Sequence, residues 1–193
     1  MAAADNTVFS EYALKRMGIK FKDDTEYKSA NCVGSCEEEM NVKTVTKKCQ
    51  GVIVKSRTRG DGTGKLTISM HIPKPVYDEM YAMILDDLID GVRAYGQNSL
   101  HPEFSIVQDV FDEDDNEKFK AYPNCTLQSG KKGSIENGAE EVAEIDLEIA
   151  IMPDEYGNGM YEALAADLKD ETVKTTWMSA FTPGLVRKTI QEA

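Results

Sequence analysis

The stretch that most constrains the fold is EEVAEIDLEIAIMPD, residues 140–154, in which acidic and aliphatic side chains alternate. Its acidic positions are Glu144, Asp146 and Glu148. Its aliphatic positions are Ile145, Leu147, Ile149 and Ile151. Strict alternation with a period of two is typical of a β-strand that buries one face and leaves the other in water. The sequence therefore predicts a strand whose three carboxylates share one face.

This acidic face is expected to be hydrated. Charges two residues apart lie about 7 Å from each other along a strand, and such a pair repels by about 0.6 kcal/mol in water. An unpaired buried ion would cost several kcal/mol, against a gain of about 1.5–3 kcal/mol for each buried aliphatic side chain. Alternation does not decide whether the face lies on the outside of the protein or lines a water-filled passage. Both interpretations stay open on these residues alone.

The composition is that of an ordinary globular protein. The chain has 193 residues, of which 41% are hydrophobic and 29% are charged, and this predicts a single domain over residues 1–193 with a possible N-terminal arm at 1–30. No run approaches the ~18 apolar residues of a membrane span, and the first twelve residues lack the features of a secretory signal. We therefore expect no membrane insertion and a protein made and kept in a cytoplasm.

The cysteines and the net charge exclude two further classes. No CxxC pair is present, and four cysteines in a chain of this size do not suggest a disulfide framework, so reduced thiols are expected. The cysteines are Cys32, Cys36, Cys49 and Cys125. A net charge of -12 argues against a nucleic-acid reader that grips phosphates. The acids are concentrated between residues 86 and 171, which suits either a solvated acidic surface or contact between unlike surfaces of two copies.

Two β-hairpins are predicted. Residues 49–72 read as two alternating runs joined by a turn at the glycine-rich residues 60–64. The second run places Leu66, Ile68, Met70 and Ile72 on one face. GDGTGK is not a phosphate-binding loop, because that pattern requires Gly at Arg59 and Ser or Thr at Leu66, and a strand follows. The second hairpin, residues 104–130, is predicted to turn within the acidic residues 112–116.

Calcium is an alternative for the acidic turn, and the sequence fits it poorly. An EF-hand loop that began at Asp112 would need Gly at Glu117 and Glu at Pro123. A solvated turn is therefore the prediction.

One amphipathic helix is predicted at about residues 75–88, because Pro73 and Pro75 end the preceding strand and apolar side chains then recur at helical spacing. These side chains are Val76, Tyr77, Met80, Tyr81, Ile84 and Leu88. A short helical piece is predicted at 160–168, after the turn PDEYGNG, and the tail around Trp177 and Phe181 shows no clear period. Together these elements predict a mainly β protein, an antiparallel β-sandwich or barrel with one flanking α-helix.

Catalytic chemistry is not indicated. His71 and His101 have no cysteine or acid at a metal-ligand spacing, and no nucleophile elbow is present. Carboxylates are so abundant that a close pair would arise by chance. The sequence predicts no enzyme, no cofactor and no metal.

Several segments, taken in order, resemble the major tail protein, or tail tube protein, of long-tailed bacteriophages. They include HPEF, VFDEDDNEKFKAYPNCTLQSG, ENGAEEVAEIDLEI, MPDEYGNGMYEAL and TTWMSAFTPGLV, with EEEMNVKTVTKKCQGVIVK and HIPKPVYDEMYAM upstream. The resemblance covers residues 35–187. It implies a β-sandwich with a flanking helix, homohexameric rings stacked into a hollow tube, and passage of double-stranded DNA during ejection. It also implies a virion protein assembled in the host bacterial cytoplasm, with tape-measure and tail-completion proteins as partners and no catalytic residues.

In the light of this resemblance, the acidic strand is interpreted as the lining of the lumen. Carboxylates leave DNA hydrated, whereas lysine and arginine would bind its phosphates. We therefore expect Glu144, Asp146 and Glu148 to face the lumen, with an ordinary solvated outer face as the alternative. Two other functions stay open: the tube subunit of a contractile tail or tail-like secretion device, and, from another class, a monomeric β-barrel that binds a small ligand.

Overall fold

The computed structural model describes residues 8–188, which form an antiparallel β-sheet with two α-helices and one 3-10 turn. The strands are β1 Ala13–Phe21, β2 Lys28–Ser29, β3 Val33–Cys49, β4 Val52–Met70, β5 Glu103–Phe111, β6 Glu117–Leu127, β7 Ile145–Met152 and β8 Tyr161–Leu164. The helices are α1 Lys74–Met80 and α2 Glu171–Ala180, followed by the 3-10 turn Pro183–Val186. The predicted mainly β, antiparallel class is confirmed, with a second helix that the sequence did not indicate.

The sheet is curved, so that β3 approaches strands that are not its neighbours. Its strand order is β2-β1-β5-β6-β7-β4-β3, with β8 paired to β6. Gln108 in β5 nevertheless lies 3.3 Å from the sulfur of Cys36 in β3. The hydroxyl of Tyr122 in β6 donates a hydrogen bond to Glu38, also in β3. The inner face of the sheet therefore encloses the main core.

This main core joins the inner face of the sheet to α1. The fully buried side chains from the sheet include Met17, Ile19, Leu66, Ile68, Met70, Ile106, Leu147 and Ile149. From α1 and the residue after it, Tyr77, Met80 and Tyr81 close one end of the core. Burial of each large aliphatic side chain contributes about 1.5–3 kcal/mol to the stability of this core.

A second, smaller core lies on the outer face of β5 and β6, where α2 covers it. Val173, Trp177 and Phe181 from the C-terminal segment pack against Val107 and Phe119. Asp170 caps the helix by accepting a hydrogen bond from the amide of Thr172 at 2.9 Å. The tail that showed no clear period thus forms a capped helix docked on the sheet.

The turn of the first hairpin lies elsewhere than predicted. β3 and β4 are joined at Gln50 and Gly51, both with positive φ (48° and 81°), as a two-residue turn between twisted strands requires. β4 runs without interruption through residues 60–64. There Gly62 allows close approach to the turn after β7, because a Cβ atom would lie 2.6 Å from the carbonyl oxygen of Gly157. The glycines that indicated a turn instead lie at a register shift between β3 and β4 and at the close contact with the turn after β7.

Helix α1 is shorter than the predicted 75–88. It ends at Met80, after which Ala82 adopts φ 47°. The amide of Ala82 donates to the carbonyl of Glu79 at 2.9 Å, and that of Met83 donates to Asp78 at 2.8 Å. This is the Schellman pattern that closes helix C-termini, here with alanine at the position that usually holds glycine. Ile84 is 56% exposed in the loop beyond, so its helical spacing was fortuitous.

Replacement of Ala82 by glycine is expected to raise the free energy of unfolding by about 0.5–1 kcal/mol, because glycine removes the left-handed strain of a Cβ atom and recovers more than it loses in chain entropy. Urea denaturation followed by circular dichroism measures the change. Ala94→Gly serves as the control, since its φ is not positive, and it should be neutral or destabilising. Equal or lower stability of Ala82→Gly would contradict the strain assigned to this position.

The predicted helix at 160–168 is wrong. Residues Tyr161–Leu164 form β8, which pairs with β6 through Ala121 and Lys118 at its two ends. β7 pairs with β6 only from Asn124 onward, so this stretch of the β6 edge would otherwise leave its amide and carbonyl groups without partners. Because β6 has an open edge here, residues 161–164 pair with it as a strand, although their sequence favours neither helix nor strand clearly.

The second hairpin turns within residues 112–116, as predicted. Asp112 accepts hydrogen bonds from the amide of Asp114 (2.9 Å), the amide of Asn116 (2.8 Å) and the side chain of Asn116 (2.7 Å). Burial raises the pKa of Asp112, but these hydrogen bonds outweigh it and the net shift is downward. Within residues 8–188, no group of three or more His, Cys, Asp or Glu is placed to hold a metal ion. None of the helices described there is long and apolar enough to cross a membrane.

Candidate functional site

The alternation in β7 is confirmed. Leu147, Ile149 and Ile151 are buried, whereas Asp146 is exposed and Glu148 is half-buried on the opposite side of the strand. These two acids therefore share a face of the sheet, as the sequence predicted.

The third acid, Glu144, lies just before the strand begins. Its carboxylate packs against β3 at Gly34, where a Cβ atom would lie only 2.1 Å from Oε1 of Glu144. Glycine at this position leaves the room that the carboxylate occupies. The structure thus brings Asp146 and Glu148 onto one sheet face and places Glu144 at the end of that face.

Two acids outside the alternating stretch of β7 extend this face across three strands. Residues directly opposite each other in an antiparallel ladder share a face. The pairs are Ser69 with Asp146, Thr67 with Glu148, Glu37 with Thr67, and Glu39 with Lys65. Glu37, Glu39, Asp146 and Glu148 are called the acidic face below. The alternation of CEEEMNVK carried a signal for Glu37 and Glu39, but only the register of β3, β4 and β7 joins them to β7.

Two lysines moderate the charge of the acidic face. Nζ of Lys65 lies 3.0 Å from one carboxylate oxygen of Glu148, and Nζ of Lys132 lies 3.2 Å from the other. These hydrogen bonds lower the pKa of Glu148, so this carboxylate stays ionised to a lower pH than an unpaired glutamate. Asp146 accepts a hydrogen bond from Ser69. The face is therefore hydrated and acidic, and two basic residues lie at it: Lys132, and Lys65, which stands opposite Glu39 and pairs with Glu148.

The first hairpin projects from the body as a two-stranded arm. The ladder between β4 and β7 ends at Gly64 and Ile151, and beyond it β3 and β4 pair only with each other. We call residues 41–63 the arm, and at roughly 3.3 Å per residue it extends about 30 Å. Its apolar side chains Val42, Val45, Val52, Ile53 and Val54 are 56–66% exposed.

The arm carries most of its charge on one face. Lys43 lies opposite Arg59, Val45 opposite Arg57, and Lys47 opposite Lys55. These residues form the cationic face of the arm. The other face carries hydroxyl groups, with Thr44 opposite Thr58, their oxygens 2.8 Å apart, and Thr46 opposite Ser56. The pairing of these cations was not evident from the sequence, because the glycines at residues 60–64 predicted a turn within the arm.

The chain matches no family model and no curated protein. Among solved structures, it is similar to the tube-terminating cap of the anti-feeding prophage, with 14% identity and a TM-score of 0.47 over 86% of this chain and 100% of that one. It is also similar to a chain of the anti-feeding prophage baseplate, with 10% identity and a TM-score of 0.47 over 84% of this chain and 99% of that one. Scores below 0.5 do not identify this chain.

Proposed function

We propose that this protein is a tail tube subunit of a bacteriophage, which assembles as stacked homohexameric rings around a bore that conducts double-stranded DNA. The observation that carries the proposal is the acidic face built across β3, β4 and β7, in a chain whose ordered segments resemble the tail tube family. The role is structural and involves no catalytic residue. Its partners are further copies of itself and other tail proteins, such as tape-measure and tail-completion proteins.

The acidic face suits a surface past which a polyanion must slide. A wall of lysine and arginine would bind phosphates and release their counterions, so the DNA would adhere. Carboxylates repel the phosphates and keep both surfaces hydrated. Repeated in each subunit of a ring, Asp146 and Glu148 together with Glu37 and Glu39 give a negative bore, with Glu144 at its rim.

Self-assembly is supported by the surfaces that the fold leaves open. β3 ends the strand order, so its outer edge presents amide and carbonyl groups of the kind that soluble proteins usually protect against pairing. The apolar side chains of the arm, more than half exposed in the single subunit, would be covered in an assembly. Both features favour a subunit over a monomeric ligand-binding barrel.

Replacement of Glu144, Asp146 and Glu148 by lysine is expected to slow DNA ejection at least about tenfold in particles whose tubes are intact, because added cations bind phosphates. Electron microscopy checks the tubes, and release of DNA after receptor triggering gives the rate. Lysine at Glu113, Asp114 and Glu155, which are exposed outside the acidic face, makes the same change in charge and should leave the rate unchanged. Normal ejection by the first variant would rule out the lumen assignment.

A further inference from the structure

We propose that Asp109 and Glu117 together bind one proton, and that this proton makes the corner of the sheet where β1, β5 and β6 meet sensitive to pH. Asp109 lies in β5, and Glu117 is the first residue of β6. Both belong to the outer side of the sheet, since Asp109 stands opposite Phe119 and Glu117 lies two residues before Phe119. The site is therefore separate from the acidic face and from any bore that it lines.

Asp109 is buried with one carboxylate oxygen left without a donor. Its side chain is 1% exposed. Oδ2 accepts hydrogen bonds from Nε and Nη2 of Arg16, each 2.5 Å away. Oδ1 is buried as well, and none of residues 8–188 donates a hydrogen bond to it. A buried ionised oxygen without a donor is costly, so this site favours any group that can place a hydrogen at Oδ1.

Glu117 supplies that hydrogen when its carboxyl group is protonated. The carboxyl groups of Glu117 and Asp109 lie within hydrogen-bonding reach of each other. Two carboxylates at such a distance repel each other, whereas a carboxylic acid and a carboxylate form a charge-assisted hydrogen bond. Burial raises the pKa of Glu117 and the neighbouring Asp109 raises it further, and the opposing effect of Arg16 leaves the net shift upward. The proton is thus held by the pair rather than by one residue.

A proton fits this site better than a metal ion does. Calcium takes roughly six to eight oxygen ligands, and this site offers two carboxyl groups, one of which already binds the guanidinium group of Arg16. That fixed positive charge would also repel a second cation. A proton needs only one donor atom and one acceptor atom, which Glu117 and Asp109 provide.

The charged side chains of the surrounding elements do not replace the proton. Arg16 of β1 is half-exposed and directs its nitrogens to Oδ2 of Asp109 rather than to Oδ1. Other charged groups of β1, β6, β8, α2 and the turn 112–116 are paired among themselves: Lys15 with Asp115, Lys118 with Glu162, and Lys174 with Glu171. Glu113 and Asp114 of the turn are exposed to water. Oδ1 of Asp109 therefore depends on the protonated form of Glu117.

Loss of the proton changes the partner of Glu117. The ionised carboxylate is repelled by Asp109 and attracted by Arg16, whose Nη2 lies 3.4 Å from Oε1 of Glu117. Arg16 is then shared between two carboxylates, which weakens the contact that fastens β1 to β5. The backbone carbonyl of Glu117 also accepts a hydrogen bond from the amide of Ala165 at 2.9 Å. A shift of Glu117 is therefore felt where the chain leaves β8.

The sign of the pH effect follows from the raised pKa. The folded protein binds the proton more tightly than the unfolded chain does. The stabilisation that the proton provides is therefore complete below the unfolded-state pKa of about 4.3, and it is lost as pH rises through the higher pKa of the folded state.

Replacement of Glu117 by glutamine tests this sign, because a carboxamide donates to Asp109 at every pH. At neutral pH the variant is expected to exceed the native protein at least about fivefold in its ratio of folded to unfolded molecules. Below the folded pKa the two proteins should agree within about twofold, since native Glu117 then carries its own proton. Glu113→Gln removes the same charge at an exposed position, and its difference from the native protein should not change with pH. Urea denaturation at a series of pH values measures all three.

Nuclear magnetic resonance of the carboxyl carbons locates the proton directly. Glu117 should titrate above the unfolded-state value, and Asp109→Asn should move this titration to lower pH, because the repelling charge is gone. Should Asp109→Asn fail to fold, the titration of native Glu117 and the comparison with Glu117→Gln still decide the matter. Exchange of the Ala165 amide, corrected for its intrinsic rate, should quicken with rising pH in the native protein and not in Glu117→Gln.

Three results would overturn the inference. One is a stability difference between Glu117→Gln and the native protein that is the same at every pH. Another is titration of Glu117 at or below the unfolded-state value. The third is stabilisation of the native protein by added calcium at neutral pH that Glu117→Gln abolishes, which would make the site a metal site. All of these measurements use the isolated chain, so neither success nor failure alters the proposed function, which depends on assembly and on another face of the sheet.

Discussion

Replacement of Trp177 by alanine is expected to lower the free energy of unfolding by about 3–5 kcal/mol, because it removes the centre of the core between α2 and the sheet. The side chain is 1% exposed. Its ring lies 5.7 Å from that of Phe119 and 4.7 Å from that of Phe181, measured between centroids. Its indole Nε1 donates a hydrogen bond to the carbonyl oxygen of Lys120 at 3.2 Å.

Urea denaturation followed by circular dichroism tests this expectation. Trp177→Phe keeps an aromatic ring but removes the donor to Lys120, so it should cost about 1–3 kcal/mol, the penalty for an unpaired buried acceptor. Tyr12→Ala removes an aromatic ring that is 78% exposed and should change stability by less than about 0.5 kcal/mol. A loss below about 1 kcal/mol for Trp177→Ala would mean that α2 is not docked as described.

Replacement of Lys120 by methionine is expected to cost about 1–3 kcal/mol, because it leaves the partly exposed carboxylate of Glu38 without its cation. Lys120 is 5% exposed. Its Nζ lies 2.8 Å from Oε2 of Glu38 and 2.9 Å from Oε1 of Glu11. This ion pair fastens β3 at the base of the arm to β6 and to the segment before β1. Its loss leaves Glu38 without a cation.

The pH dependence of this contact has a defined sign. Burial alone would lower the pKa of Lys120, but its hydrogen bonds to Glu38 and Glu11 outweigh that effect and raise it. The stabilisation that the charged lysine contributes is therefore complete at neutral pH. It is lost only as pH rises above the unfolded-state pKa of about 10.4 and through the higher pKa of the folded state. Burial raises the pKa of Glu11, but its contacts with Lys118 and Lys120 outweigh burial, so the net shift is downward. The stabilisation that the Glu11 carboxylate contributes is therefore lost as pH falls through its folded pKa.

A double-mutant cycle separates the ion pair from packing. Glu38→Gln in the Lys120→Met background removes the uncompensated charge, so the double variant should be more stable than Lys120→Met alone. Lys22→Met, at an exposed position, should be nearly neutral. Additive losses for the two substitutions would show that Lys120 and Glu38 do not interact energetically.

Local patterns were sufficient for the elements whose signals lie within a few residues. The period of two over residues 145–151 predicted β7 and its buried face, because alternation follows from the geometry of an extended chain. The turn at residues 112–116 was predicted from its short polar side chains, and Asp112 binds the backbone of that turn. These features depend on neighbours in the chain rather than on distant strands.

Competing local signals misplaced other elements. The glycines at residues 60–64 predicted the turn of the first hairpin at the wrong place. The turn is formed by Gln50 and Gly51, which supply the two positive φ angles of a tight hairpin. Helical spacing continued past Met80, but the left-handed Ala82 ended the helix there. In each case the residues that form the turn or end the helix are present in the sequence. Which of the two competing patterns prevails depended on contacts with other elements.

By itself, the sequence determined the mainly β class, the alternating strand β7 and the shared face of Asp146 and Glu148. Only the tertiary structure decided that Glu37 and Glu39 join that face and that the cations of the arm lie opposite one another. Strand register and sheet edges arise from pairing between residues far apart in the chain. The open edge of β6, which draws Tyr161–Leu164 into the sheet, exists only once the other strands have paired, and no local pattern in that segment indicates it.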